Sequence, residues 1–242
     1  MTKPSSYTFK MLEQYGRQEE TYIRPDKQDR SSEAWQKLLA LIDQATEEEW
    51  TEFQPAKYLG RDLWKQITVL PNEIAKLTKV KKLYLYRSKL ERIPPHIGQM
   101  ASLQEFDPYT SYHLHWFPYE ITRCKNLNDS RVSTKAIYGN FKFRPNFPDL
   151  TDNPVVYHDY QVKCSVCDST TPENDGFNQV WVSLWVGTDT LPLLANICSD
   201  ACLKALPTPP DDYIAYPHKG GAGQEQPLDY LQKLRNEPED DL

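Results

Sequence analysis

Four cysteines stand in two close pairs, Cys164 and Cys167 in Cys-Ser-Val-Cys and Cys198 and Cys202 in Cys-Ser-Asp-Ala-Cys. Thiolates two residues apart on a tight turn can take two corners of a tetrahedron without strain, and zinc asks for four such ligands. The second pair reads as a turn entering a short helix, with Ser199 or Asp200 able to cap it and Cys202 on its first turn. Four cysteines leave no open coordination position, so one structural Zn2+ is the expected cofactor, with no catalytic role. Five cysteines is an odd number, and the start Met-Thr-Lys-Pro-Ser-Ser-Tyr lacks the apolar run of a secretory signal. That combination favours metal over disulfides and places the chain in the cytoplasm. A redox pair or unliganded core cysteines are the other readings, and removal of one ligating thiolate should unfold the finger. His158 and His218 are reserve ligands.

Other reactive residues carry less. His113 and His115 share one face if their segment is a strand, but no carboxylate or cysteine stands at a telling spacing beside them, and packing at a loop is the expectation. His96 should be exposed, and Cys124 should act as a small buried hydrophobe. No Gly-x-Ser-x-Gly elbow, phosphate loop or His-Glu-x-x-His site occurs, so no catalytic residue is assigned.

The elements that position the cysteines emerge from a period. Leu70, Ile93 and Phe117 each precede a proline; Ile74, Ile97 and Ile121 follow, then Leu77, Met100 and Cys124, then Val80, Leu103 and Leu127, at offsets of 23 and then 24 residues. The first copy continues Leu83, Leu85, Ser88, Leu90 and the second Phe106, Pro108, Ser111, while the third has Ser130 where a buried leucine belongs and Lys135 opposite the serines. The sheet should therefore end or bend at that point. Two and a half units cannot bury their apolar faces alone, so both ends need caps. Ahead of them, Ser31-Ser32 offers an N-cap to a helix whose apolar face is Trp35, Leu38, Leu39, Ile42 and Ala45, and Thr46-Glu47-Glu48-Glu49 has the capping-box form for a second helix carrying Trp50 and Phe53. Behind them, 136–150 is the closing segment.

This segment, about Ile67 to Ser133, resembles a leucine-rich repeat of the Leu-Pro-x-x-Ile-x-x-Leu-x-x-Leu-x-x-Leu-x-Leu-x-x-Asn type, with Ser88 and Ser111 at the asparagine position. The resemblance implies short parallel strands. If Leu83 and Leu85 point inward, then Lys82, Tyr84 and Tyr86 face outward on the concave side, followed by Glu105, Asp107 and Tyr109 and then by Asp129, Arg131 and Ser133. The cysteine pairs, over about Tyr157 to Leu206, resemble treble-clef fingers of the FCS and TRASH type. Between the pairs, Val180, Val182, Leu184 and Val186 alternate with Trp181, Ser183 and Trp185, a strand whose tryptophans either dock the finger on the repeats or form an exposed patch; Asn174-Asp175-Gly176 is a hairpin signal ahead of it.

The expected fold is α+β: a short leucine-rich-repeat parallel sheet with an N-terminal helical cap, plus a small treble-clef-like zinc-binding unit. Its parts are an arm at 1–30 that Tyr7, Phe9 and Tyr15 could pin, the helical cap at 31–60, repeats and closing segment at 61–150, the finger at 151–210 and a solvated tail at 211–242, where Leu228, Leu231 and Leu234 suit a last helix before the acidic end. A net charge of −6 with 39% hydrophobic residues fits a folded protein and gives nucleic acid little electrostatic drive, and no apolar run suits a membrane span. The leading expectation is an adaptor, not an enzyme, that binds a protein or peptide through Lys82, Tyr84, Tyr86, Glu105, Asp107, Tyr109 and Arg131. A nucleic-acid-binding finger is the alternative, and an enzyme without a recognisable motif comes after it.

Overall fold

A computed structural model describes residues 22–158, 160–170 and 177–236. Tyr7, Phe9, Tyr15, Asn174-Asp175-Gly176 and the acidic end lie outside the described residues.

Helix α1 (Glu33–Glu47) begins where Ser32 accepts a hydrogen bond from Trp35 N, and it buries Trp35, Leu38, Leu41, Ile42 and Ala45. The capping box expected at Thr46 does not form. Thr46 Oγ1 donates to Ile42 O at 2.8 Å inside the helix, which continues through Glu47. Phe53, expected on a helix, lies instead in strand β1 (Glu52–Phe53) with its side chain fully buried. Two short helices follow, α2 (Pro55–Leu59) and α3 (Arg61–Trp64).

β1 is the first member of a four-stranded sheet with β2 (Lys82–Tyr84), β3 (Glu105–Asp107) and β5 (Asp129–Ser130); all adjacent pairs are parallel. After Pro71, Pro94 and Pro118 the chain makes 3-10 turns at Asn72–Lys76, Pro95–Gln99 and Tyr119–Arg123. A proline before each turn presets an extended backbone and has no N–H to leave unpaired. The periodic positions form the core: Ile74, Ile97 and Ile121 are wholly inaccessible, and Leu77, Met100 and Cys124 pack beside them. At the asparagine position, Ser88 Oγ donates to Ser111 Oγ at 2.7 Å and Ser111 Oγ to Leu85 O at 3.0 Å. Ser133 Oγ, not Lys135, continues this ladder by accepting from Thr110 N at 2.8 Å.

A second sheet has the order β4-β7-β6: β4 (Phe117–Pro118) runs parallel to β7 (Asp189–Ile197), and β6 (Asn178–Val186) pairs antiparallel with β7. Val182, Leu184, Val186, Leu191 and Leu193 of this hairpin join the repeats in one apolar cluster. The two tryptophans part company. Trp181 is fully buried, whereas Trp185 is 64% exposed.

Ser130 stands where a leucine was expected because the hairpin tip docks there. Its Oγ lies 2.8 Å from Val186 O and accepts from Thr188 N at 3.2 Å, while Thr188 Oγ1 donates to Ser130 O at 2.8 Å. Gly187, with φ of 62°, has no room for a side chain: a Cβ would sit 2.9 Å from the Ser130 backbone nitrogen. Restoring the leucine with Ser130→Leu should cost about 1–3 kcal/mol, since it overpacks the tip and orphans its polar groups. Urea unfolding checks this, and an unchanged midpoint would show that the clasp is idle.

The outer described segments pack on the body. Gln28 Oε1 accepts from Thr68 N at 2.7 Å, and Arg92 donates to Val156 O at 2.9 Å and to Arg24 O. The segment expected as a solvated tail folds back on 147–150. Leu150 N donates to Lys219 O at 2.9 Å, Trp181 exchanges backbone hydrogen bonds with His218, and Gly220 at φ of 79° passes so close to Pro148 that a Cβ would meet its carbonyl oxygen at 2.2 Å. Helices α4 (Asp200–Lys204) and α5 (Tyr230–Asn236) complete the described elements. No described helix is long and apolar enough to cross a membrane.

Candidate metal centre and binding face

Cys164 and Cys167 sit on a turn that the backbone closes on itself: Asp168 N donates to Cys164 O at 3.0 Å, and Cys164 N to Ser169 O at 2.8 Å. Cys198 follows the end of β7, and Cys202 lies in the first turn of α4, whose cap Ser199 accepts from Cys202 N at 3.3 Å. The four sulfur atoms all lie within 4.8 Å of one another. Cys167 Sγ is 3.6 Å from Cys198 Sγ, and Cys198 Sγ is 3.7 Å from Cys202 Sγ. A disulfide needs about 2.0 Å, whereas a tetrahedron with bonds of about 2.3 Å has edges of about 3.8 Å. The donor set therefore fits a metal ion. Burial works to raise the Cys164 thiol, but the N–H groups of Cys167, Val166 and Cys198 overcome it and bring it down to about 7. Desolvation, with hydrogen bonds to the Cys164 and Cys167 sulfurs, pushes Cys198 up to about 12.

The turn is fixed by its neighbours as well as by its own bonds. Ser165, 2% exposed, donates through N to Asn196 O at 2.7 Å, accepts from Asn196 N at 2.9 Å and donates through Oγ to Glu120 Oε1 at 2.7 Å. Arg123 donates to Ser165 O at 2.9 Å and pairs with Asp168 at 2.8 Å. The turn is thus joined to β7 on one side and to the Tyr119–Arg123 turn of the third repeat on the other. Sequence reasoning missed Glu120 and Arg123; they fall at exposed positions of the repeat pattern, and only the docked turn covers them.

Burial raises the pKa of Glu120 above the ordinary glutamate range, against the pull of Ser165 and Arg123. A carboxyl raised on folding favours the folded state below its ordinary pKa and loses that contribution as pH rises through the raised value. Glu120→Gln keeps an acceptor for Ser165 and has no proton to lose. It should match the parent at about pH 4, below the ordinary glutamate value, and melt a few degrees above it at about pH 8; a difference that shrinks as pH rises would refute this.

The remaining candidates are scattered. His158 is exposed, and His218 is buried against the Phe147 ring at 4.6 Å, its pKa pulled down to about 4 by burial; neither belongs to the sulfur cluster. His96, expected to be exposed, is half-buried with its ring 4.7 Å from that of Tyr160, because the segment leading into the cysteines covers it. His115 Nδ1 lies 2.6 Å from Ala136 O, and His113 stands between Arg24 and Lys89, so the two imidazoles do not converge on a metal. Cys124 is buried, and desolvation pushes its thiol up to about 12.

On the outward face of the parallel sheet, Lys82, Glu105 and Asp129 are in register, as are Tyr84 and Asp107. Lys82 pairs with Glu105 at 2.7 Å, Tyr84 donates to Glu105 at 3.2 Å, and Arg131 stands 3.8 Å from Asp107. Tyr86 is half-buried and accepts from Gln54, while Tyr109 is 50% exposed. Exposed pairs of this kind contribute about 0–1 kcal/mol, so they order the surface more than they stabilise the fold.

No known protein family and no curated protein matches the sequence. Among solved structures, the chain is similar over 57% of its length to a leucine-rich-repeat protein of Leptospira interrogans, with 20% identity, a TM-score of 0.27 and 40% of that chain covered. It is similar over 40% of its length to the plant peptide hormone receptor RGFR1 in complex with RGF2, with 24% identity, a TM-score of 0.25 and 18% of that chain covered. Both likenesses are local, and each spans less than half of the other protein.

Proposed function

We propose that the protein is a leucine-rich-repeat scaffold that binds a protein or peptide through the outward sheet face, with one structural zinc held by Cys164, Cys167, Cys198 and Cys202 in a treble-clef-like finger. The observation that carries it is the in-register strip Lys82, Tyr84, Glu105 and Asp107 on adjacent strands, continued by exposed Tyr109 on the turn after β3, in which tyrosines stand among ordered charges. Tyrosine and arginine are enriched at binding hot spots, because they bring large contact area at low entropic cost. Strands about 4.8 Å apart give a strip only about 10–15 Å across, which suits an extended peptide better than a standard interface of about 800 Å² per partner.

Zinc agrees with an all-sulfur donor set and with sulfur spacings near a tetrahedral edge. Four thiolates leave no site for substrate, so the ion's role is structural and the reading is non-enzymatic. Five free cysteines suit a reducing compartment such as the cytoplasm.

The test is affinity capture from the source cell's lysate with the zinc-loaded parent and with Tyr84→Ala/Tyr109→Ala. Capture of a stoichiometric protein by the parent, reduced at least about tenfold in the variant at an unchanged melting temperature, supports the reading. Equal capture by both would remove the sheet face from consideration.

A further inference from the structure

A patch of charge of one sign lies beside the sheet. A groove of about 670 Å³ opens between α2 and α3 on one side and the turns that follow β2 and β3 on the other. Lys57, Arg61, Lys65, Arg87, Lys89 and His113 line it, and no aspartate or glutamate does. The five lysines and arginines are exposed, and among the described residues none of them is in an ion pair, although the chain as a whole carries −6. Five like charges gathered from separate elements repel one another, and a counter-charge placed among them relieves that repulsion.

His113 adds a second, independent sign. Arg24 NH1 lies 3.0 Å from its Nδ1 and Lys89 Nζ lies 3.2 Å from its Nε2. A neutral imidazole accepts at one nitrogen only, so one ring N–H must face a cationic donor. Arg24 is also paired with Glu91 at 2.9 Å, outside the groove lining, which leaves the Lys89 side as the one without an acceptor. An anion between Lys89 and His113 would accept from both.

The surroundings limit what the anion can be. Tyr86, on the turn after β2, lines the groove, and its ring stands 6.5 Å from that of Tyr84 on the sheet face, so the two surfaces adjoin. That face carries Glu105 and Asp107, which would repel a chain of successive phosphates laid across it but not a peptide with one charged side chain. Lysine and arginine together suit a phosphate dianion, the arginines by forked hydrogen bonds and the lysines as point charges.

We propose that this groove receives a phosphorylated side chain of the bound peptide, with Arg61 and Arg87 gripping the phosphate and Lys57, Lys65 and Lys89 completing its field. The proposal rests on the peptide-binding reading of the sheet face and adds to it the chemical class of the partner.

Fluorescence anisotropy on the full zinc-loaded chain, at about 0.15 M salt, tests it with three probes: a degenerate pool of short peptides with a central phosphoserine, the same pool with serine, and a mixed-sequence single-stranded RNA. The phosphoserine pool should bind at least about tenfold more tightly than the serine pool, and Arg61→Ala/Arg87→Ala should erase that ratio at an unchanged melting temperature. Lack of binding by the phosphoserine pool, equal binding of the two pools, a ratio that survives the double substitution, or tighter binding of the RNA would each overturn it. The sheet face is judged separately. Tyr84→Ala/Tyr109→Ala should weaken both peptide pools alike, and if it weakens neither while the phosphate ratio persists, the groove stands and the face does not.

Discussion

A Cys198→Ser protein is expected to be purified without zinc and to melt at least about 10 °C below the parent, which should carry one zinc per chain. Structural zinc contributes on the order of 10 kcal/mol of binding free energy that is lost when the site opens, and about 1 kcal/mol moves the midpoint of a chain of this size by about 2–4 °C. The loss should fall short of the full binding energy, because the first cysteine turn keeps its bonds from Ser165 to Asn196 and Glu120 without any metal. The β6–β7 hairpin should also survive, since Val182, Leu184, Leu191 and Leu193 belong to the core of the repeats. The damage should therefore be local, with trypsin cutting first after Lys163 and Lys204, which flank the cysteines. A variant that retains zinc, or one that melts with the parent, would refute the four-sulfur site.

Trp181→Ala should cost about 3–5 kcal/mol, without touching a cysteine. The indole is wholly inaccessible and meets Trp116, Tyr138 and Phe147 with ring centroids 5.9, 5.9 and 5.8 Å away. Its Nε1 donates to Pro148 O at 2.9 Å, so truncation also strands a buried carbonyl. This ring joins the hairpin to the closing segment and, through the bridge to His218, to the returning tail. Trp185→Ala, four residues away, removes a ring that is 64% exposed and should leave stability within about 0.5 kcal/mol of the parent. Urea midpoints for the two variants are the check, and equal losses would contradict the burial difference.

What could be read from the sequence was what repeats or stands close in the chain. Ile74, Ile97 and Ile121 are equivalent because the backbone returns to the same place every 23 or 24 residues, and the cysteine pairs are separated by one turn each. Strands β2 and β3 followed from the alternation around Leu83 and Phe106. Strand β1 was missed because two residues carry no period and Thr46-Glu47-Glu48-Glu49 imitates a helix start. The pairing of Phe117-Pro118 with Leu193-Leu194 joins residues far apart in the chain, and nothing local announces it. The same is true of the Glu120–Ser165 contact, in which a side chain of ordinary exposed type is buried by a segment that arrives much later. Alternation in β6 also misled, because a strand covered on both faces has no polar side from which to tell Trp181 and Trp185 apart.

Thr188 has a consequence for how molecules of this protein meet. An outermost parallel strand offers another chain a row of free N–H and C=O groups, the usual starting point for edge-to-edge aggregation. β5 ends the sheet order, yet at Ser130 one hydroxyl takes both groups: Ser130 N donates to Thr188 Oγ1 at 3.2 Å, and Thr188 Oγ1 donates to Ser130 O at 2.8 Å. A single side chain thus stands in for the strand that would come next, and the sheet is closed to recruitment at that margin by the chain's own hairpin.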